Sequence, residues 1–546
     1  MAGSKPKVSL NASSYDKKYF QLWRRFYEPL VMLKILGSTR GEHSAKPEQP
    51  SPVHRFLDNL AYLSDHVKGG STTSAIGLEN APKRFNFWIA SNEPKQSDKS
   101  APFLASILRD VRTIADSPTG GRASLQEKLV RRCIEFAKQR VKKEAKMLMS
   151  NIKRCIQYFT SPEEIELSQW LKSFQETEPL ELCYLAYRER DSPMMKRLSR
   201  HLQPHGDLAV IDGQCVAVKD VIHRLGRLAH HIRAPYQIIE DVSNHAGLRN
   251  VLDEFQVHSI RPQPTIDRPH ADPDIHIYSI INRMLPSNGF ERYREAADIM
   301  NQRFEIVTRF KKIYDKKNFS PLMHAEIQVL EHFWGKRAFF DDDRYIGCSK
   351  PACYCCHLYM QHHPARCIVP QTSRNVYLNW GLKALPQGSK DAEYNHQRDM
   401  VNEMVKSIRK DALDQILRKT TAAPWHPDSQ TGFTLHAPSV RNEARQPSRK
   451  APFMETMRMV DLGEYWLCLF SGWENLGWLG LTDTADMTTD SDESQPGSIG
   501  CCASGSRHSS LASISNDSIR GLRNLSWIGD GESDGESDSS SGGARL

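Results

Sequence analysis

At 546 residues the chain is too long for one ordinary domain, and its length predicts two to four folding units. Hydrophobic residues make up 39% and charged residues 25%, a soluble globular average diluted by polar segments. No uncharged apolar run reaches the roughly 18 residues a membrane helix needs, so no membrane partner is expected. The opening Met1-Ala2-Gly3-Ser4-Lys5-Pro6 lacks the apolar core of a secretory signal. Twelve cysteines, four of them crowded into 348–356, do not resemble a secreted disulfide framework. Reduced thiols in an intracellular compartment, cytoplasm or nucleus, are expected, and a tight cluster there points to metal or catalysis. The formal charge of +8 conceals an asymmetry: residues 481–546 carry −7, leaving +15 on the remainder. A basic body suits a polyanion such as nucleic acid, or is a solvated surface with no partner; no dense Lys/Arg stripe decides between them.

In chain order, residues 1–50 read as an N-terminal helix and linker. Residues 1–13 are polar, and Tyr19, Phe20, Leu22, Trp23, Phe26, Leu30, Val31, Leu33 and Leu36 recur at helical spacing before Gly37. Residues 51–100 hold a short amphipathic helix, Phe56 to Leu63, and two β-prone runs, Thr72 to Leu78 and Phe85 to Ala90, which predict a strand–turn–strand unit. Residues 101–317 read as mostly helical. Leu125 to Phe159 lacks Gly and Pro and predicts one long helix. Leu167 to Tyr187 is broken by Pro179, Val216 to Ile239 is shortened by Pro235, and the Pro-rich stretch 261–275 is a loop. Residues 318–420 alternate helix and strand: a helix from Met323 to Trp334, a strand at Arg344 to Gly347, and a helix from Cys353 to His362. Short strands are expected at Cys367 to Val369 and Asn375 to Leu378, then a helix from Arg398 to Leu417. Residues 421–546 read as a mostly disordered tail with an aromatic segment at 465–481.

One constellation carries chemistry. Of 21 histidines, only His324 opens a His-x-Glu, His324-Ala325-Glu326, and fewer than thirty residues later comes Cys353-x-x-Cys356. These are the parts of the zinc deaminase signature, in order. Catalytic zinc takes three protein ligands and leaves a position for water. Two cysteines three apart at a helix start aim both sulfurs at one point, where the helix dipole favours thiolate. His324 supplies the nitrogen, and zinc lowers the pKa of its water toward neutrality. Glu326 then shuttles protons as the catalytic residue. A structural zinc site closed by Cys348 or Cys355, and a buried pair of cysteines without metal, are the alternatives. No His-Glu-x-x-His is present, which excludes that metalloprotease pattern.

At these residues the chain resembles the OTT_1508-like deaminases, a branch of the nucleic acid and nucleotide deaminase superfamily abundant in fungi. The resemblance rests on His324-Ala325-Glu326, then Tyr345-Ile346-Gly347-Cys348-Ser349-Lys350 and Cys353-Tyr354-Cys355-Cys356, and spans 321–385. It implies an α/β fold: a cytidine-deaminase-like mixed sheet flanked by helices, whose opening hairpin falls at 72–92, with the helical region as a large insertion before His324. It also implies a Zn2+ cofactor and a nucleobase, nucleotide or nucleic acid substrate. By the same resemblance Asn92, after the second strand, is a candidate substrate contact, or an ordinary turn asparagine. Trp380 and Tyr377 are candidates for stacking on a base, or core residues. His357, His362 and His363 are expected to face solvent or to lie behind the metal ligands. Two departures stand out. Ala352, not proline, precedes the first metal cysteine, and Ser373-Arg374-Asn375-Val376 stands where members often carry a Ser-His-Gly-Lys-like element.

Overall fold

The expected strand–turn–strand unit forms the centre of the sheet in the computed structural model, which describes residues 16–39, 51–202, 213–269, 276–285, 289–314 and 321–421. The expected disordered tail, its aromatic segment 465–481 and the polar stretch 1–13 lie outside the described residues. The chain runs from α1 (Lys17–Ile35) through α2 (Pro52–Ser64) into the hairpin of β1 (Ser74–Ala81) and β2 (Arg84–Ser91). Helices follow: α3 (Pro94–Asp116), α4 (Thr119–Phe136), α5 (Lys138–Cys155), α6 (Pro162–Gln175), α7 (Glu181–Glu189), α8 (Pro193–Arg200), α9 (Gly213–Asn244) and α10 (Ala246–Val251). After β3 (Phe255–Ser259) come α11 (Ile277–Met284), α12 (Glu291–Phe304) and α13 (Ile306–Tyr314). The last part holds α14 (Ala325–Phe333), β4 (Gly347–Cys348), α15 (Tyr354–His362) and α16 (Tyr394–Leu417).

The fold is α/β, with a four-stranded mixed sheet in the order β3-β2-β1-β4. β1 and β2 pair antiparallel from Ser74↔Ser91 to Ala81↔Arg84. β4 adds antiparallel to β1 through Ala75↔Cys348 and Ile76↔Gly347, and β3 lies parallel to β2. The two-residue period of the strands separates two cores. Ile76, Leu78, Phe87 and Ile89 face a cluster with Phe56, Leu60, Leu104, Leu108, Ile238 and Val242 from α2, α3 and α9. Ala75 and Ala90 face the opposite cluster, with Val329, Leu330 and Phe333 of α14, the aromatic stripe of α1, and α16. Gly77 has the same parity: a Cβ there would meet Phe333 at 2.5 Å and Val329 at 2.8 Å, so only glycine lets α14 lie this close to β1. A third cluster, built on α5, α7 and the first half of α9, is wholly helical.

Four expectations need correction. Leu125 to Phe159 is not one helix; it breaks at Ala137 (ψ 11°) and ends in a 3-10 turn at Ile156–Tyr158. The break lets Leu129 and Cys133 reach the core beneath the sheet while Val141, Leu148 and Ile152 serve the helical core. Pro235 does not end its helix, since α9 continues to Asn244. The proline removes one backbone hydrogen bond, a cost of about 3 kcal/mol, offset by burial of Ala234, Ile238, Ile239 and Val242 around it. β3 forms inside the stretch read as helical; its Phe255 and Val257 alternate inward against the sheet core. The expected strands at 367–369 and 375–378 give no ladder; Asn375 makes an isolated bridge with Thr39.

Gly347 is the tightest backbone contact beneath the site, since a Cβ there would lie 2.5 Å from the Leu57 carbonyl carbon and 2.6 Å from its oxygen in α2. Backbone cannot swing aside as a side chain can. Gly347→Ala is therefore expected to cost about 1–3 kcal/mol or more, read as a lower midpoint in denaturant; an unchanged midpoint contradicts this packing.

Candidate metal centre

Two helices begin at the same point, and each begins with a ligand. His324 is the N-cap of α14 in extended backbone (φ −66°, ψ 151°), which swings its ring out past the first turn. Cys353 is the N-cap of α15, and its Sγ accepts the Cys356 N–H at 3.4 Å. The His324 Nδ1 lies 3.5 Å from Cys353 Sγ and 3.4 Å from Cys356 Sγ. All three donor atoms fall within 4.8 Å of one another and all three residues are buried. One nitrogen and two sulfurs at this separation fit a tetrahedral zinc ion with one position open. Glu326 is buried beside them, close enough that its charge and a hydrogen bond raise the Cys356 pKa.

The electrostatics favour a ligand-ready pair. Burial pushes the Cys353 thiol up, but the hydrogen bond from Cys356 and the His324 ring bring it down to about 6. Cys356 moves the other way, raised by burial and by the Cys353 charge. Cys348 and Cys355, the candidate fourth ligands, do not join the group among the described residues. The Cys348 thiol points to the Ile346 carbonyl at 3.4 Å, and Cys355 is fully buried with its pKa raised by burial.

What holds the two helix starts together is the family-like Ser-Lys element. Ser349 pairs with Ser74 of β1 in both directions, N–H to carbonyl at 2.9 Å and Oγ accepting the Ser74 N–H at 3.0 Å. Lys350 Nζ donates to the Gly69 carbonyl and to Thr73 Oγ1 at 3.1 Å, and lies 3.6 Å from the buried Asp65 carboxylate. Asp65 also meets Arg140 of α5 at 3.3 Å, and Glu144 on the same helix meets Lys68, Arg224 and Arg227 at 3.1–3.2 Å. From α2, Asp58 accepts the Cys348 N–H at 2.9 Å and the Tyr345 hydroxyl at 2.8 Å. Behind Cys353, the segment 371–375 supplies the Gln371 carbonyl to Ala352 N–H at 2.7 Å and the Asn375 carbonyl to Tyr354 N–H at 2.9 Å.

Asn92 does not present its amide as a free contact. Its Oδ1 accepts the Ala325 N–H at 2.9 Å and its Nδ2 donates to the Gly70 carbonyl at 2.8 Å, so it ties the end of β2 to the start of α14. Trp380, a candidate for stacking or for the core, lies in the core. The ring is fully buried, packs against Phe26 and Tyr359, and its Nε1–H donates to Cys356 Sγ at 3.2 Å. Tyr377 is only partly buried and its ring centroid stands 6.3 Å from that of His324.

His363 is buried rather than solvent-facing, as part of a second cluster with Glu331 and His396 whose ligand atoms also lie within 4.8 Å. Ala365 N–H donates to His363 Nδ1 at 3.1 Å, which leaves the proton on Nε2, 3.0 Å from Glu331 Oε1. The Tyr359 hydroxyl donates to the same oxygen at 2.7 Å. The cluster is therefore a set of donors around one carboxylate. Burial opposes the charge, yet the hydrogen bonds from His363, His396 and Tyr359 hold the Glu331 pKa down to about 2.

Sequence reading did not find Asp58, the anchoring of Lys350, or the donor role of Trp380. An acid inside the apolar face Phe56 to Leu63 was the one visible signal, since a buried carboxylate needs partners.

A sheet backed by helices, with a His-x-Glu helix and a Cys-x-x-Cys helix meeting at their N-termini, is the arrangement of a deaminase-type site. Residues 323–384 match the family model of the OTT_1508-like deaminases. No curated protein and no solved structure matches the chain.

Burial pushes the Asp58 carboxyl up to about 7 from its ordinary 3.8, against the pull of its two donors. A carboxyl whose folded pKa is raised stabilises the fold below its unfolded value and loses that contribution as pH rises through the folded one. Asp58→Asn is expected to flatten the decline of stability with pH between 3.8 and about 7. Denaturation curves across that window check it, and an unaltered slope contradicts it.

Proposed function

We propose that the chain is a zinc-dependent hydrolytic deaminase acting on a nucleobase within a nucleotide or nucleic acid, in an intracellular compartment. The observation that carries this reading is the convergence of three ligand atoms from two helix starts, with a carboxylate beside them and no fourth ligand among the described residues. His324, Cys353 and Cys356 would hold the ion, whose chemistry is to acidify a water. The two N-capping positions orient the ligands, and the positive end of the helix dipole favours thiolate at that point.

Glu326 does the proton work. It takes a proton from the attacking water, passes it to the ring nitrogen of the base, and delivers the second water proton to the departing amine. The water oxygen ends on the ring carbon as a carbonyl, the carbon–nitrogen bond breaks, and ammonia leaves. The buried Trp380 N–H donates to Cys356 Sγ, and with an ion held there it would draw charge from that sulfur and so support the ion's Lewis acidity. The net charge of +15 outside the last 66 residues favours a polyanionic substrate over a free base.

The test is Glu326→Ala assayed with wild type against free bases, nucleosides, nucleotides, RNA and single-stranded DNA. Ammonia release from at least one substrate is expected in wild type and is expected to fall by about 10²–10⁴-fold or more in the variant, while zinc stays near one per chain. Zinc retained with no turnover on any substrate would instead identify a zinc-stabilised interaction protein.

A further inference from the structure

A second charged site lies on the far side of α1 from its buried aromatic stripe. A cleft of about 400 Å³ opens where α1, α11 and α16 meet, and four guanidinium groups line it: Arg24 and Arg25 from α1, Arg283 from α11 and Arg409 from α16. Glu28 is the only acidic side chain in its lining. Both of its oxygens are engaged, Oε1 by Arg24 Nε and Oε2 by Arg283 Nε, each at 2.8 Å. Arg25 and Arg409 form no ion pair among the described residues. Arg409 Nε and Arg283 Nη2 are closed off from solvent and have no hydrogen-bond partner. Burial and the charge of Arg25 work against the protonated form of Arg409, and Glu28 favours it.

Four cations against one carboxylate is an arrangement whose self-repulsion an anion would relieve. Guanidinium groups present paired donors in the plane that matches phosphate oxygens. We propose that this cleft binds a phosphate group. None of its lining residues supplies a ligand to the metal centre, so the site is separate from the one that would perform deamination, and it stands or falls independently of that reading.

The test compares the full chain with the Arg25→Ala/Arg409→Ala double variant, using inorganic phosphate as probe at constant ionic strength with chloride as reference. Phosphate is expected to raise the wild-type melting temperature beyond the chloride reference, and calorimetry is expected to show Kd weakened by about tenfold or more in the variant. Because neither arginine forms an ion pair among the described residues, the variant without phosphate is expected to fold as wild type does. A wild type that responds to phosphate no more than to chloride, or a variant that retains the full response, overturns the proposal. A single-stranded oligonucleotide run in parallel separates the sources. Loss of its affinity with that of phosphate identifies a polynucleotide backbone as the ligand, and unchanged affinity restricts the cleft to free phosphate.

Discussion

The N-terminal turns of α14 and α15 meet with their N-cap side chains facing one small volume, and the rest of the domain is arranged to keep them there. An N-cap residue stands half outside its helix, so its side chain can reach across the opening. Placing His324 and Cys353 at those two positions aims both ligands into the gap. The second cysteine follows one turn on, and its own N–H points back to the first sulfur. Each helix start is then pinned by a different partner: α14 by Asn92 at the end of β2, and α15 by the Ser349–Lys350 element on β1. The hairpin is the rigid part against which both are measured.

Several polar groups around the centre are therefore better understood as positioning devices than as contacts for substrate. Asn92 was a candidate contact through the resemblance, and Trp380 because an aromatic face can stack on a base, each beside a structural alternative. In the fold, one satisfies the first orphan donor of a helix and the other donates to a sulfur. A buried indole N–H needs an acceptor, and the Cys356 sulfur supplies one. The tyrosine at 377, which stays partly exposed beside His324, is the aromatic that remains at the site's edge.

Much of the fold was legible where local signals were dense. The aromatic stripe of α1, the hairpin, the start of α14 at His324 and the start of α15 after Cys353 all follow from periodicity, turn residues and motif order. The group that could hold a metal, His324, Cys353 and Cys356, was legible because chemistry restricts residue type and spacing together. The parts that escaped depend on non-local contacts. The bend at Ala137 arises because one helix must serve two cores, which no local residue announces. β3 is only five residues long in a helical region, and its Phe-Gln-Val-His-Ser alternation matters only because β2 offers an edge. Asp58, Asp65 and Lys350 are far apart in the chain and meet through tertiary packing alone.

The lysine of the Ser-Lys element faces a carboxylate that is itself paired with Arg140, a residue of the helical region. Stripping one member from a buried ion pair typically costs about 3–5 kcal/mol because the other charge is left without its counterpart. The stretch that matches the family is thus not a portable module in this chain. Cut out at its borders, it would lose the hairpin edge on which β4 rests and would strand Lys350 without the acid that tolerates it. The catalytic-type motif and the distant helices have become one thermodynamic unit, so a change deep in the helical region can loosen the grip on a metal that it never touches.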